Sequence, residues 1–257
     1  MRIDLKHNKE YFSASQLKKL FISIGQFQAY LKKQFEESSA MELGSVIHTR
    51  ILEPEEYNKR YLVLDDTAIC EEIGGARPTS TKKYKEWKEE LEAEARAKGK
   101  KIISPASDHI ANKVWRDMDK AGIIEMYFSD GEAEVTITGD VTVADEHGEE
   151  STFPALAIVD YDQPDFSVDL KTTSKDISKF KFDANSLGYD IQARLTHGIN
   201  GKPFVFVVVQ TVAPYDIAVF TTSQYFMDRG ESKIATAIDN YLHYEDESST
   251  QIIVGEL

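Results

Sequence analysis

Cysteine is all but missing from this chain, with Cys70 the single one. No disulfide can form within the chain, and no thiolate cluster can hold zinc or an iron–sulfur centre, so any metal has to be held by oxygen and imidazole. Also lacking is an apolar run of about 18 residues, the length a membrane-crossing helix needs. The opening segment MRIDLKHNKEYF has no hydrophobic stretch of the kind a signal peptide carries. These two absences lead us to expect a soluble, cytoplasmic protein with no membrane partner. Positive charge is scarce too: 30 lysines and arginines stand against 44 aspartates and glutamates, a net charge of -14. That balance repels phosphate backbones at long range and counts against a simple nucleic-acid-binding module. It weighs less if a basic groove lies inside an acidic exterior, or if divalent cations offset the carboxylates locally.

The chain does have enough apolar material, 41% over 257 residues, to bury a substantial core. No internal repeat or low-complexity linker divides it, so the sequence is read as one α/β domain over residues 1–257, mainly helical over 1–122 and sheet-forming with flanking helices over 123–257. Ser13–Ser15 offers a cap for a helix carrying Leu17, Leu20 and Phe21, and a second helical segment runs from Gln26 to about Glu37. Leu43, Val46, Ile47, Ile51 and Leu52 recur at helical spacing around His48, and Glu53-Pro54 marks the end. Cys70–Pro78 is Gly-rich and reads as a loop, Ser80–Lys98 as a solvated helix, and Ala106–Lys120 as a helix with Ile110, Val114 and Met118 on one face. Beyond Ala133 the period falls to two, giving strands at Glu134–Thr138, Leu156–Tyr161 and Phe166–Lys171. A helix over Ala184–His197, a doubly buried strand over Pro203–Val212 and a helix over Gln224–Tyr244 complete the reading.

The chemistry concentrates in LAIVDYDQPDFSVDLKTTS, where two apolar strands flank the turn formers Asp162-Gln163-Pro164-Asp165. Asp169 and Lys171, two apart on a strand, share a face. A symmetric turn sets Ile158 opposite Asp169 and makes Asp160 the diagonal neighbour, roughly 7 to 8 Å away at Cα, a gap that two carboxylates can bridge through one divalent cation. Phosphodiester hydrolysis needs an activated water, a Lewis acid at the phosphoryl oxygen and charge stabilisation; the carboxylates can hold the metal for the first two. Lys171 can stabilise charge, orient the water or help to deprotonate it. A bare D-x-K triplet is common on solvated hairpins. Here the acids sit among β-branched and apolar neighbours, where unpaired charge is costly.

At these residues the chain resembles the PD-(D/E)xK nuclease superfamily, with Asp160 as the first acid and Asp169-Leu170-Lys171 as the second half of the motif. The blocks SASQLKKL, MELGSVIH followed by ILEPEEY, VDLKTTS and GYDIQA, spread from about residue 11 to residue 198, resemble the phage and prophage exonuclease VIII nuclease domain. The resemblance implies a restriction-endonuclease-like fold, a mixed β-sheet flanked by helices with a helical N-terminal region. It further implies a magnesium-dependent exonuclease, with manganese as a substitute, that degrades the 5′-ended strand of linear duplex DNA. The 3′ overhangs left behind would serve a single-strand annealing partner. A ring-like homo-oligomer around DNA is implied as well, and it would reconcile the acidic net charge with DNA binding by placing the acids outside.

The same resemblance carries further residues. Gly44 and His48 fill a G-x-x-x-H pattern whose histidine joins the metal, although by itself a histidine on an apolar helix is an ordinary core or interface residue. Glu134 in GEAEVTI matches an acid near the metal, and Leu170 is counted among the metal-binding positions beside Asp160 and Asp169. Tyr189 and Gln192 fill Y-x-x-Q, three apart on one helix face, and are expected to orient substrate or catalytic groups. Relatives often carry a basic residue shortly before the first acid, where this chain has Leu156-Ala157-Ile158. Lys175, Lys179, Lys181 and Arg194 are candidates for backbone contacts in its place. Three alternatives stay open at this stage: a superfamily nuclease of other polarity, a structure-specific endonuclease, and a non-catalytic module that binds DNA ends or an annealing protein.

Overall fold

The computed structural model describes residues 11–32, 39–75 and 77–243. The ends expected for the helices at 26–37 and 224–244 lie outside them. The chain forms two compact units, one of Met1–Glu36 with Asp130–Leu257, the other of Glu37–Ser129. Among the described residues, no helix is long and apolar enough to cross a membrane.

The first unit opens with a two-residue strand, β1 (Phe12–Ser13), followed by α1 (Ala14–Ile22) and α2 (Ile24–Lys32). Ser13 starts α1 through a reciprocal capping box: its hydroxyl accepts the Gln16 N–H, and the Gln16 side chain accepts the Ser13 N–H at 2.9 Å. Such a cap stabilises a helix by about 1 kcal/mol. Leu17 and Leu20 then enter the core fully, each contributing roughly 1.5–3 kcal/mol.

The second unit comprises α3 (Ser39–Leu52), α4 (Pro54–Arg60), β2 (Tyr61–Val63), α5 (Thr67–Ile73), a 3₁₀ turn at Pro78–Ser80, α6 (Lys82–Ala97), β3 (Lys101–Ile103), α7 (Pro105–Lys120) and α8 (Ile123–Tyr127). One expectation holds with an addition and one fails here, both for local reasons. Glu53-Pro54 does end α3, but Pro54 also opens α4, because the first turn of a helix needs no N–H from it. The stretch from Cys70 is not loop throughout: α5 runs to Ile73 and stops where Gly74 takes φ 64. Strands β2 and β3 pair in parallel, a contact between distant segments that local periodicity did not disclose. Arg50 ties α3 to α7 and α4, bonding Asn112 at 2.9 Å and lying 4.6 Å from the Trp115 ring and 5.4 Å from that of Tyr57.

Back in the first unit come β4 (Glu132–Ala144), β5 (Glu150–Asp162), β6 (Ser167–Thr173), α9 (Phe180–Ser186), α10 (Tyr189–Asn200), β7 (Phe204–Gln210), β8 (Ile217–Thr221) and α11 (Gln224–Leu242). The single helix expected over Ala184–His197 is two helices, broken at Gly188, which takes φ 66 and ψ 36 just before α10. Strands β4 and β5 are far longer than expected and form one antiparallel hairpin. The sheet order is β1-β5-β6-β7-β8, with β4 on β5; β1–β5 and β6–β7 are parallel, the other pairs antiparallel. Every residue of β7 is buried, as its unbroken Val and Phe run requires. Leu17, Leu20, Ile191, Leu195 and Ile234 pack with Val141 and Phe153, so α1, α10 and α11 share one core with the β4–β5 hairpin. The architecture is the expected one, a mixed sheet flanked by helices.

The geometry that matters is at β5. One of its edges carries β4; the other is divided between β1, at Ala155 and Leu156, and β6, at Tyr161 and Asp162. Only two residue pairs join β5 to β6 before β6 turns away to pair with β7 along its whole length. The strands therefore open as a fork, and the acids stand on its two prongs.

Candidate active site

Tyr161 pairs with Val168 and Asp162 with Ser167, a register that sets Asp160 against Asp169. The expected diagonal placement, with Ile158 opposite Asp169, is thus corrected by two residues. A shift of two keeps every side chain on its face, so the acids still converge. Where the ladder gives out, the Asp160 carboxylate takes the place of a backbone acceptor: its Oδ2 accepts the Leu170 N–H at 2.8 Å. Lys202 anchors the closed end of the hairpin, its Nζ 2.7 Å from both Asp162 Oδ2 and the Gln163 carbonyl.

Asp169 is 1% exposed, and its two oxygens are handled differently. The Gln192 side-chain amide donates to Oδ1, while Lys171 Nζ lies 2.6 Å from Oδ2. That last contact is close in distance but poorly aimed, leaving Oδ2 buried without a well-formed hydrogen bond. Burial pushes the Asp160 carboxyl well above the ordinary carboxylate range, and the Asp169 charge adds to the rise. Burial pulls the Lys171 ammonium down, but Asp169 and Asp160 outweigh it and hold the group above its usual value.

Glu134 stands opposite Asp160, between the pairs Ala133–Tyr161 and Val135–Val159. Its backbone is in the left-handed region, φ 55, an unusual state for a residue with a side chain. Carboxylate oxygens of Glu134 and Asp160 approach within 4.8 Å of each other. Strain of about 1–3 kcal/mol held in place by its surroundings is characteristic of functional positions. With Asp169 Oδ2 lacking a well-formed hydrogen bond, the all-oxygen donor set fits a hard divalent cation. The Leu170 side chain is fully buried in the core, so only its backbone carbonyl could contribute to such a site. His48 is half-buried on α3, in the second unit.

Tyr189 and Gln192 project from the first turn of α10, and both reach the Asp169–Lys171 pair on β6. Gln192 does so directly; the Tyr189 ring has Lys171 Nζ 4.8 Å from its centroid and stacks on Phe206 at 5.7 Å. This end of α10 is held by Asp190, wholly buried, whose Oδ2 takes Arg229 Nε at 2.6 Å and Lys233 Nζ at 2.7 Å from α11. Nothing in the spacing of Asp190, Arg229 and Lys233 announced this clamp. Nor did the sequence single out Lys18 on α1, whose Nζ lies 5.0 Å from the same Tyr189 ring. Of the lysines and arginine suggested for phosphate contacts, Lys175 pairs with Asp183 at 2.9 Å and Arg194 with Glu231 at 3.2 Å, whereas Lys179 and Lys181 are exposed.

A family described as a PDDEXK-like domain of unknown function, DUF3799, matches residues 13–255. The chain belongs to that family. The expected PD-(D/E)xK superfamily membership holds. No curated protein sequence matches significantly. Among solved structures, the crystal structure of a "Putative exonuclease" from Eubacterium rectale is similar to this PDDEXK-like chain with a TM-score of 0.55 at 17% identity, covering 93% of this chain and 86% of that one. The structure of SSO0001 aligns at 13% identity over 91% of this chain and 87% of its own, with a TM-score of 0.28. At such identities the first likeness speaks to fold alone, and the second carries no argument.

Proposed function

We propose that this protein is a divalent-metal-dependent exodeoxyribonuclease that resects the 5′-ended strand of linear duplex DNA and leaves 3′ overhangs for annealing-type recombination. One observation carries the nuclease reading: the buried Asp169 carboxylate and the half-buried Asp160 carboxylate converge with a lysine at a strand fork, with one buried oxygen lacking a well-formed hydrogen bond. Polarity and overhang rest on the resemblance of the sequence blocks to exonuclease VIII, as do the annealing partner and the ring-like homo-oligomer; the cytoplasmic setting is the expectation drawn from the sequence.

Asp160, Asp169, Glu134 and the Leu170 carbonyl are the groups that would hold magnesium, or manganese in its place, and His48 joins them on the strength of its G-x-x-x-H pattern. A bound ion supplies the Lewis acid and lowers the pKa of water. The chain's own residues do the rest. Lys171, held between Asp169 and the face of Tyr189, donates to the attacking water or to the phosphoryl oxygen on which charge builds. Gln192 fixes the rotamer of Asp169. Water oxygen bonds to phosphorus, a P–O ester bond breaks, and the water's proton passes to the departing alkoxide.

The test is magnesium-dependent digestion of linear duplex labelled at either end, beside closed circular DNA. Progressive loss from the 5′ ends of linear DNA alone is expected, with Asp169→Ala and Lys171→Ala inactive yet folded. Cleavage of circles would move the reading to an endonuclease, loss from the 3′ ends to the opposite polarity. Wild-type protein inert on every substrate would leave the non-catalytic, DNA-end-binding alternative.

A further inference from the structure

Helix α1 brings a second lysine to the site. Lys18 Nζ lies 5.0 Å from the centroid of the Tyr189 ring, the same ring that Lys171 Nζ approaches to 4.8 Å. Its stem runs along the backbone at Gly188: a Cβ built there would lie 3.0 Å from Lys18 Cγ and 3.3 Å from both Cδ and Cε. The left-handed turn before α10 and the path of this lysine thus depend on the same missing side chain. The helix beneath it is firmly seated, since Leu17 and Leu20 are fully buried on either side and the capping box fixes its start.

Among the described residues no carboxylate pairs with Lys18, whereas Lys171 has Asp169, Lys175 has Asp183, and Lys233 has Asp190. Burial first, and then the Lys171 charge, bring the Lys18 ammonium down to about 8. A half-buried cation next to another cation, with no anion of its own, is placed where an anionic ligand would relieve it.

We propose that Lys18 binds substrate, its ammonium taking a phosphate of the strand engaged at the Asp160–Asp169 cluster beside Lys171. This rests on the nuclease reading above and adds a phosphate contact from α1 where Leu156-Ala157-Ile158 offers none. A cationic contact to nucleic acid releases counterions, so its removal changes the salt dependence of binding, which a purely structural lysine would not.

The experiment is magnesium-dependent digestion of a linear, end-labelled duplex by wild type, Lys18→Gln and Lys18→Arg across a salt series, with thermal melts of each. Lys18→Gln is expected to raise KM on the order of tenfold. It should also flatten the slope of log KM against log salt by about 0.7–0.9, the share of one phosphate. KM should change more than kcat, and Lys18→Arg should keep both KM and slope near wild type. Lys18→Gln with an unchanged KM and slope, on a wild type that digests DNA, would overturn this assignment and leave the nuclease reading intact. A wild type that digests nothing would overturn both. If the glutamine variant melts below the assay temperature, Lys18→Arg carries the test alone, and a slope flattened by one phosphate's share in that variant would count against the proposal.

Discussion

Magnesium binding by this protein is expected to strengthen about tenfold for each pH unit until Asp160 has lost its proton. The carboxyl of Asp160 is raised well above the ordinary range, first by burial and then by Asp169, with Glu134 adding to the rise and with Lys171 and the Leu170 N–H acting against it. In the unfolded chain the same group titrates near 3.9. An ion ligated by Asp160 must displace its proton wherever the folded protein still holds it. One group titrating gives a slope of one in log Kd against pH, about 1.36 kcal/mol per unit, and the raised pKa carries that slope above the ordinary carboxylate range. Between the unfolded and folded pKa values the folded state binds more protons than the unfolded one, so the stability of the metal-free protein falls as pH rises through this window. The thermal shift produced by magnesium should grow over the same window. Calorimetric titrations in two buffers of different ionisation enthalpy, from pH 5 to 8, measure affinity and released protons together. A Kd independent of pH with no proton released would refute the placement of Asp160 in the metal site, as would the same slope surviving in Asp160→Asn.

Two further substitutions separate function from stability. Glu134→Gly should relieve the φ of 55, raising stability by about 1 kcal/mol in a denaturant melt. The same variant should weaken magnesium binding in calorimetry; a variant less stable than wild type, or one with unchanged metal affinity, would show that the kink serves packing alone. Asp190→Ala leaves Arg229 and Lys233 facing each other at the base of α10, and breaking such a buried pair costs about 3–5 kcal/mol. A melt lowered by less than about 1 kcal/mol would mean that α11 does not clamp this helix through charge.

The alternation of LAIVDYD and SVDLK was enough to put Asp160, Asp169 and Lys171 on strands, and the two-residue spacing of Asp169 and Lys171 put both on one face. Because a strand's period is two, the real register could slip by two from the expected one without separating the acids. The Ser13 cap, the end of α3 at Glu53-Pro54 and the doubly buried β7 were likewise written in local residues. What local sequence did not hold was anything made by distant partners. The parallel pairing of β2 with β3 joins segments far apart in the chain. The Asp190 clamp depends on α11 lying against α10. Lys18 and Lys19 are neighbours in the same SASQLKKL block, and nothing in their spacing says which one reaches the site; that depends on the face of α1 that Leu17 and Leu20 commit to the core, and on Gly188 leaving room for the stem. The pair on which the functional reading began is a local fact of two strands. Its charge balance, with one buried oxygen of Asp169 left without a well-formed hydrogen bond and a second lysine drawn in, was decided only by packing.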